Sequence, residues 1–182
     1  MDRRWRRVLT VSVAAAVIVG GTVAVASGDD GRVRRSTVSE RLSGYEEDPL
    51  VLSTTGTGTF RARIDSSSQE ITYRLTYSAL EGNVLQAHIH LGGRHQSGGI
   101  SVFLCTNLGN GPAGTQLCPA APATVTGTIS PVDVIGPAGQ GITAQQFDEL
   151  VSAIRAGVTY VNVHSSVYPG GEIRAQLGDH SH

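Results

Sequence analysis

The chain has 182 residues, a formal net charge of −1 at pH 7, and 14 basic residues that are all arginine. Four of these arginines lie in the first seven residues, so the remainder is acidic and carries no basic stripe. This charge balance argues against nucleic acid as a partner. Aromatic residues make up only 5% of the chain and glycine is abundant at 23 residues, which favours short strands joined by glycine-rich turns.

The N-terminal segment, residues 1–26, has the organisation of an export signal. An arginine-rich start precedes an apolar run from Val8 to Ala26, and Ala24-Val25-Ala26 matches the small-x-small cleavage pattern. The alternative is an uncleaved anchor, because this run of 19 residues approaches the ~20 that span a bilayer. We therefore predict a secreted or cell-surface protein that meets a membrane only through this segment, if it is retained.

The rest of the chain is predicted to form one domain. Residues 27–38 are polar and aperiodic, which indicates a flexible linker. The domain is predicted at 39–178, followed by a disordered tail at 179–182 that contains His180 and His182.

Alternation of apolar and polar residues predicts most of the secondary structure as strands. The predicted strands are 56–64, 71–77, 84–91, 100–105, 124–130, 159–164 and 172–177, and the first two form a hairpin around a turn at 65–68. One short helix is predicted near 143–156, from a capping box at Thr143 to Gln146 and a stop at Gly157. With about eight strands, the expected fold is all-β, an antiparallel β-sandwich or barrel-like sheet.

The two cysteines, Cys105 and Cys118, are predicted to form a disulfide. An even cysteine count in an exported protein favours this pairing. Closing a loop of this length stabilises a protein by ~3 kcal/mol in the chain-entropy model. The alternative is a thiolate metal site or nucleophile, but the spacing fits no zinc motif.

Two segments about seventy residues apart carry the candidate ligands. His88 and His90 alternate with apolar residues on one predicted strand, so they share a face, and the distant candidates are His164 and Glu172. Three imidazoles, with or without a carboxylate, suit zinc or copper. A second interpretation also stays open, in which these residues line a polar outer surface and hold no metal.

Three stretches together resemble the CHRD (chordin) domain. They are Ala87 to Gly92, Gly157 to Ser165, and Pro169 to Leu177, and the openings Leu42-Ser43-Gly44 and Gly56 to Phe60 also match. The resemblance implies an extracellular β-sandwich module, of the kind found in chordin and in small exported bacterial proteins. Two departures are Asp48-Pro49-Leu50, where the family usually has Val-Pro-Pro, and an apparent insertion from Cys105 to Cys118.

The expected function is that of a non-catalytic binding or structural module with an unidentified extracellular ligand or protein partner. The alternative is a zinc- or copper-binding protein that uses His88, His90, His164 and Glu172. A redox enzyme is a more distant alternative, because the His-x-His strand is similar in layout to copper–zinc superoxide dismutase.

Overall fold

The computed structural model describes residues 35–178, which form eight antiparallel strands and one α-helix. The elements are β1 (Arg35–Ser43), β2 (Thr57–Asp65), β3 (Glu70–Ser78), β4 (Val84–Leu91), β5 (Ile100–Thr106), β6 (Ala123–Ile129), α1 (Phe147–Arg155), β7 (Thr159–Ser165) and β8 (Ile173–Leu177). The predicted leader at 1–26, linker residues 27–34 and the tail at 179–182 lie outside the described residues. Within 35–178, no helix combines the length and the apolar character that a membrane crossing requires.

The strands form one sheet that curls into a nearly closed barrel. Their order is β5-β4-β7-β8-β1-β2-β3-β6. Between β8 and β1 the ladder is reduced to the single pair of Ser43 and Arg174, so the sheet divides there into two four-stranded halves. At the two outer ends, the Gln116 side-chain amide donates to the carbonyls of Leu104 in β5 and Thr126 in β6. The predicted all-β antiparallel, barrel-like class is confirmed.

The core lies inside the barrel and follows from the alternation in each strand. In the β2–β3 hairpin, Phe60 pairs with Leu75 and Ile64 with Ile71, and all four are almost fully buried. Burying a side chain of this size contributes roughly 1.5–3 kcal/mol. The residues between them face outward, so this hairpin positions one apolar and one polar face as the sequence predicts.

Sequence periodicity does not predict β1. The strand begins at Arg35, within the segment 27–38 that the sequence predicts as a linker. The positions that turn inward are Ser36, Val38, Glu40 and Leu42. Only two of these four are apolar, and such a weak alternation gives no clear strand signal.

The helix is shorter than predicted at its N-terminus. It begins at Phe147. One hydrogen bond of the predicted capping box is nevertheless present, because the backbone N–H of Thr143 donates to Gln146 Oε1 at 2.6 Å. The positive φ of 69° at Gln145 keeps the preceding turn out of the helix. The predicted stop is confirmed, because Gly157 has φ +69° and its N–H donates to the Ile154 carbonyl.

The predicted disulfide is present between Cys105 and Cys118, with a Cα–Cα separation of 5.0 Å. It ties the end of β5 to the loop that leads toward β6. Inside that loop, the Asn107 amide donates to the carbonyls of Val84 and Cys118. The bond is consistent with an oxidising compartment.

Candidate metal centre

The pairing of β4 with β7 places three histidines on one side of the sheet. Ala87 pairs with Val163 and belongs to the core, so the alternate residues of both strands point away from it. His88 and His90 extend from β4, and His164 lies opposite Gln86, diagonal to His88. This is the shared face that the alternation predicts.

This face is buried, although it lies opposite the core. His88, His90 and His164 are 0%, 8% and 6% exposed. Gly98 in the loop after β4 contacts His90, and Pro169 in the loop after β7 contacts His164. Arg174 holds the first of these loops by donating to the carbonyls of Gly93 and Gln96. The sequence allows an interpretation of this face as a polar outer surface. In the structure the face is enclosed, and it forms a buried polar layer on the opposite side of the sheet from the apolar core.

The ring nitrogens of the three histidines converge. One nitrogen from each ring lies within 4.8 Å of those of the other two, and these residues form the one such group of potential ligands within 35–178. His88 Nδ1 and His164 Nε2 lie 3.2 Å apart, and in the absence of an ion they form a hydrogen bond. Two nitrogens bound at ~2.0–2.1 Å to a tetrahedral ion lie about 3.3 Å apart, so the spacing suits a shared ion.

Backbone carbonyls set the tautomers of two of the rings. His90 Nδ1–H donates to the Gly98 carbonyl and His164 Nδ1–H donates to the Pro169 carbonyl, each at 3.0 Å. A carbonyl can only accept, so Nε2 of both rings carries a lone pair. Metal-binding histidines are typically oriented by such a bond from the other ring nitrogen.

The surroundings keep the imidazoles neutral, which is their ligand form. Burial, together with the neighbouring His164 and His90, lowers the pKa of His88 to about 2. Burial also lowers the pKa of His90 to about 4, against the opposing effect of the Gly98 carbonyl. The pKa of His164 is lowered by burial as well.

Aromatic contacts fix the ring orientations, and no pattern in the sequence predicts these contacts. The Phe103 ring meets His88 edge-on with centroids 4.4 Å apart. Tyr160 stacks on His90 at 4.7 Å with an interplanar angle of 2°. The Arg174 guanidinium carbon lies 3.5 Å from the Tyr160 centroid, so the strands that flank β7 contribute to one continuous stack.

The comparison with known proteins agrees with the motifs around these strands. Residues 38–177 match the model of the CHRD domain family. The chain belongs to the CHRD domain family. No curated protein and no solved structure gives a significant match. The match includes β4, β7 and β8, so the histidine cluster lies inside the CHRD domain.

Glu172 of this CHRD domain is not brought into the histidine group. Its side chain is fully buried, and Oε1 accepts hydrogen bonds from Thr54 Oγ1 at 2.7 Å and from the Glu81 backbone N–H at 2.8 Å. These bonds connect the segment before β2 to the one before β4. Glu172 thus supports the loops of the CHRD domain, and the ligand group consists of nitrogen atoms alone.

The sequence alone does not indicate that Glu47 is a buried residue, because it lies in the acidic run Glu46-Glu47-Asp48. In the CHRD domain it is only 4% exposed and accepts from Asn162 Nδ2 at 3.0 and 3.3 Å. Burial raises its pKa to about 7, although Asn162 and Arg174 act in the opposite direction. The two acids that flank Glu47 contact the loop after β4. Glu46 forms an ion pair with Arg94, and Asp48 accepts a hydrogen bond from Ser97 Oγ.

Proposed function

We propose that this CHRD domain is a small exported module, of the bacterial type, that binds one zinc or copper ion through His88, His90 and His164. The proposal rests on three buried, neutral imidazoles, each of which has one ring nitrogen within 4.8 Å of a ring nitrogen of the other two. Backbone carbonyls orient two of these rings. Export is supported by the predicted leader, by the disulfide and by the extracellular setting typical of CHRD domains.

A bound ion would also satisfy an otherwise costly group. His90 Nε2 is buried and has no hydrogen-bond partner within the described residues. A buried acceptor without a partner costs about 1–3 kcal/mol. A metal ion would coordinate this unpaired lone pair and remove that cost.

We propose a binding or structural role for the ion and no catalysis. Three protein ligands would leave one tetrahedral position for a water or another small ligand. The imidazoles are at most 8% exposed, so a substrate would have little access to that position. Glu172, the fourth ligand predicted from the sequence, takes no part in this proposal. Its Oε1 accepts hydrogen bonds from the Thr54 hydroxyl and from the Glu81 backbone N–H.

The test is metal binding by the untagged full chain, with His180 and His182 replaced by alanine in every protein so that the tail cannot contribute. We expect one equivalent of zinc or copper by elemental analysis after purification. Adding either ion to EDTA-treated protein at a hundredfold excess over Kd should stabilise it by about 2.7 kcal/mol, which raises Tm by roughly 5–10 °C.

The matched variants are His90→Phe and His95→Gln. Phenylalanine keeps a ring against Tyr160 but removes the nitrogen, so His90→Phe should weaken metal binding at least about a hundredfold. His95 lies on an exposed loop outside the cluster, so His95→Gln should bind as the parent does. Absence of stoichiometric metal and of a thermal shift, or an unchanged shift in His90→Phe, would overturn the proposal.

A further inference from the structure

The outer face of the half-sheet β1-β2-β3-β6 presents a regular array of hydroxyl and guanidinium groups, here called the threonine–arginine face. The strand registers align these outward residues in rows. Three of the rows are Ser39-Arg61-Arg74-Thr126, Arg41-Thr59-Thr76-Thr124 and Thr37-Arg63-Thr72-Thr128. Nearly all of these side chains are exposed, and the outward positions of the four strands include no aromatic or aliphatic residue.

The face is positively charged in a chain whose formal net charge is −1. Its basic residues are Arg35, Arg41, Arg61, Arg63 and Arg74. Its acids are Asp65 and Glu70, which lie together in the row at one end, where Asp65 pairs with Arg35 at 3.1 Å. The centre of the face is therefore basic. The sequence conceals this, because the arginines occupy alternate positions on three separate strands.

Arg61 and Arg74 lie directly opposite each other on neighbouring strands. Like charges in such a pair destabilise a sheet. Within residues 35–178, no carboxylate forms an ion pair with either residue, and Arg74 donates only to Thr124 Oγ1 at 3.2 Å. A repulsive pair without a neutralising partner is expected where an anionic ligand supplies the compensating charge.

We propose that the threonine–arginine face binds an extended polysaccharide that carries carboxylate groups. The planar guanidinium fork matches a carboxylate with two parallel hydrogen bonds. Arg61 and Arg63 are two residues apart on one strand, so their charges repeat about every 6.6 Å along it. The hydroxyls beside them on the neighbouring strands, such as Ser39 and Thr72, suit the hydroxyl groups of a sugar chain.

The shape and composition of the face favour a polysaccharide over other polyanions. A groove of about 1030 Å³ runs across the strands. Its lining includes Arg41, Arg61, Thr59 and Thr76, together with one acid, Glu40. Single-stranded nucleic acids usually bind with bases stacked on aromatic side chains, which the outward positions lack. A membrane surface would also be met by apolar side chains, which are equally missing there.

The experiment measures binding of the full chain to immobilised polygalacturonate at low and moderate salt. We expect binding that weakens as salt rises, and that weakens roughly tenfold in the double variant Arg61→Gln/Arg74→Gln as two charge-assisted contacts are lost. The matched control is Arg94→Gln/Arg155→Gln, which changes the net charge equally but leaves the face intact. The control should change the affinity by no more than about twofold.

Folding of the variant is checked independently. Removing the like-charge pair should leave the Tm of Arg61→Gln/Arg74→Gln equal to or above that of the parent. The proposal is overturned if polygalacturonate does not bind, or if both double variants lose affinity equally. Tighter binding to phosphatidylglycerol vesicles or to duplex DNA than to polygalacturonate would also overturn it. None of these outcomes depends on the metal site.

Discussion

Acidification should destabilise the metal-free protein, because its buried histidines take up protons only when it unfolds. The pKa of His88 is lowered to about 2 and that of His90 to about 4, from an ordinary value of 6.5. Between these values and 6.5 the unfolded chain binds more protons than the folded one. The stability from the neutral imidazoles is therefore complete above pH 6.5 and is lost as the pH falls below it.

The magnitude follows from these pKa values. At pH 4.5, two units below 6.5, the two histidines together should cost about 5 kcal/mol. Glu47 opposes them, because its pKa is raised from 4.5 to about 7 and its contribution is largest at low pH. Between pH 7 and 4.5 the protonation of Glu47 should offset about 3 kcal/mol of this loss of stability. The net loss is about 2 kcal/mol, and the lowered pKa of His164 adds to it.

The assay is urea unfolding of the full chain at pH 7 and pH 4.5, with EDTA present throughout. In Glu47→Gln the opposing contribution disappears, so the loss between the two pH values should grow to about 5 kcal/mol. His95→Gln, which alters an exposed loop histidine, serves as the control and should match the parent. A parent whose stability is constant or rises on acidification, or a Glu47→Gln profile no steeper than the parent's, would refute the reasoning.

Two further predictions concern stability. Replacing Cys105 and Cys118 together by serine should lower the free energy of unfolding by ~3 kcal/mol, as the chain-entropy model gives for a bridge with a sequence separation of 13. Urea titrations measure this loss, and a value below ~1 kcal/mol would contradict the model. Gly171→Ala should cost at least about 1–3 kcal/mol, because φ is +141° and the new Cβ would lie 2.6 Å from Asn162 Nδ2 and Glu47 Oε2. Its neighbour provides the control: Gly170→Ala meets no atom within 4 Å and should be nearly neutral, so equal losses in the two variants by thermal unfolding would contradict this account.

Much of the fold could be predicted from periodicity because strand alternation is a local property. The β2–β3 hairpin and β4 appear almost where the sequence predicts them, since Phe60, Ile64, Ile71 and Leu75 alternate with polar residues. β1 was missed because polar residues occupy two of its inward positions. The helix start was also predicted too early, because the backbone at Gln145 interrupts the turn that the capping pattern suggests.

The sequence predicts which histidines form the candidate site, but it does not predict that they are buried. Alternation alone places His88 and His90 on one face, and the pairing of β4 with β7 brings His164 beside them. Nothing in the local sequence shows that Glu47 is buried against Asn162, or that Glu172 bonds to Thr54 and Glu81. These contacts join residues that are about 90 to 120 positions apart in the chain.

The sequence by itself therefore determined which residues share a strand face, since a strand places every second side chain on the same side whatever it packs against. It also determined the cysteine pairing and the CHRD domain family. Only the tertiary structure decided that loops cover the histidine face and that separated arginines assemble into one basic face. Both depend on strand order and register, which are set by contacts between distant parts of the chain and leave no periodic signal in any one segment.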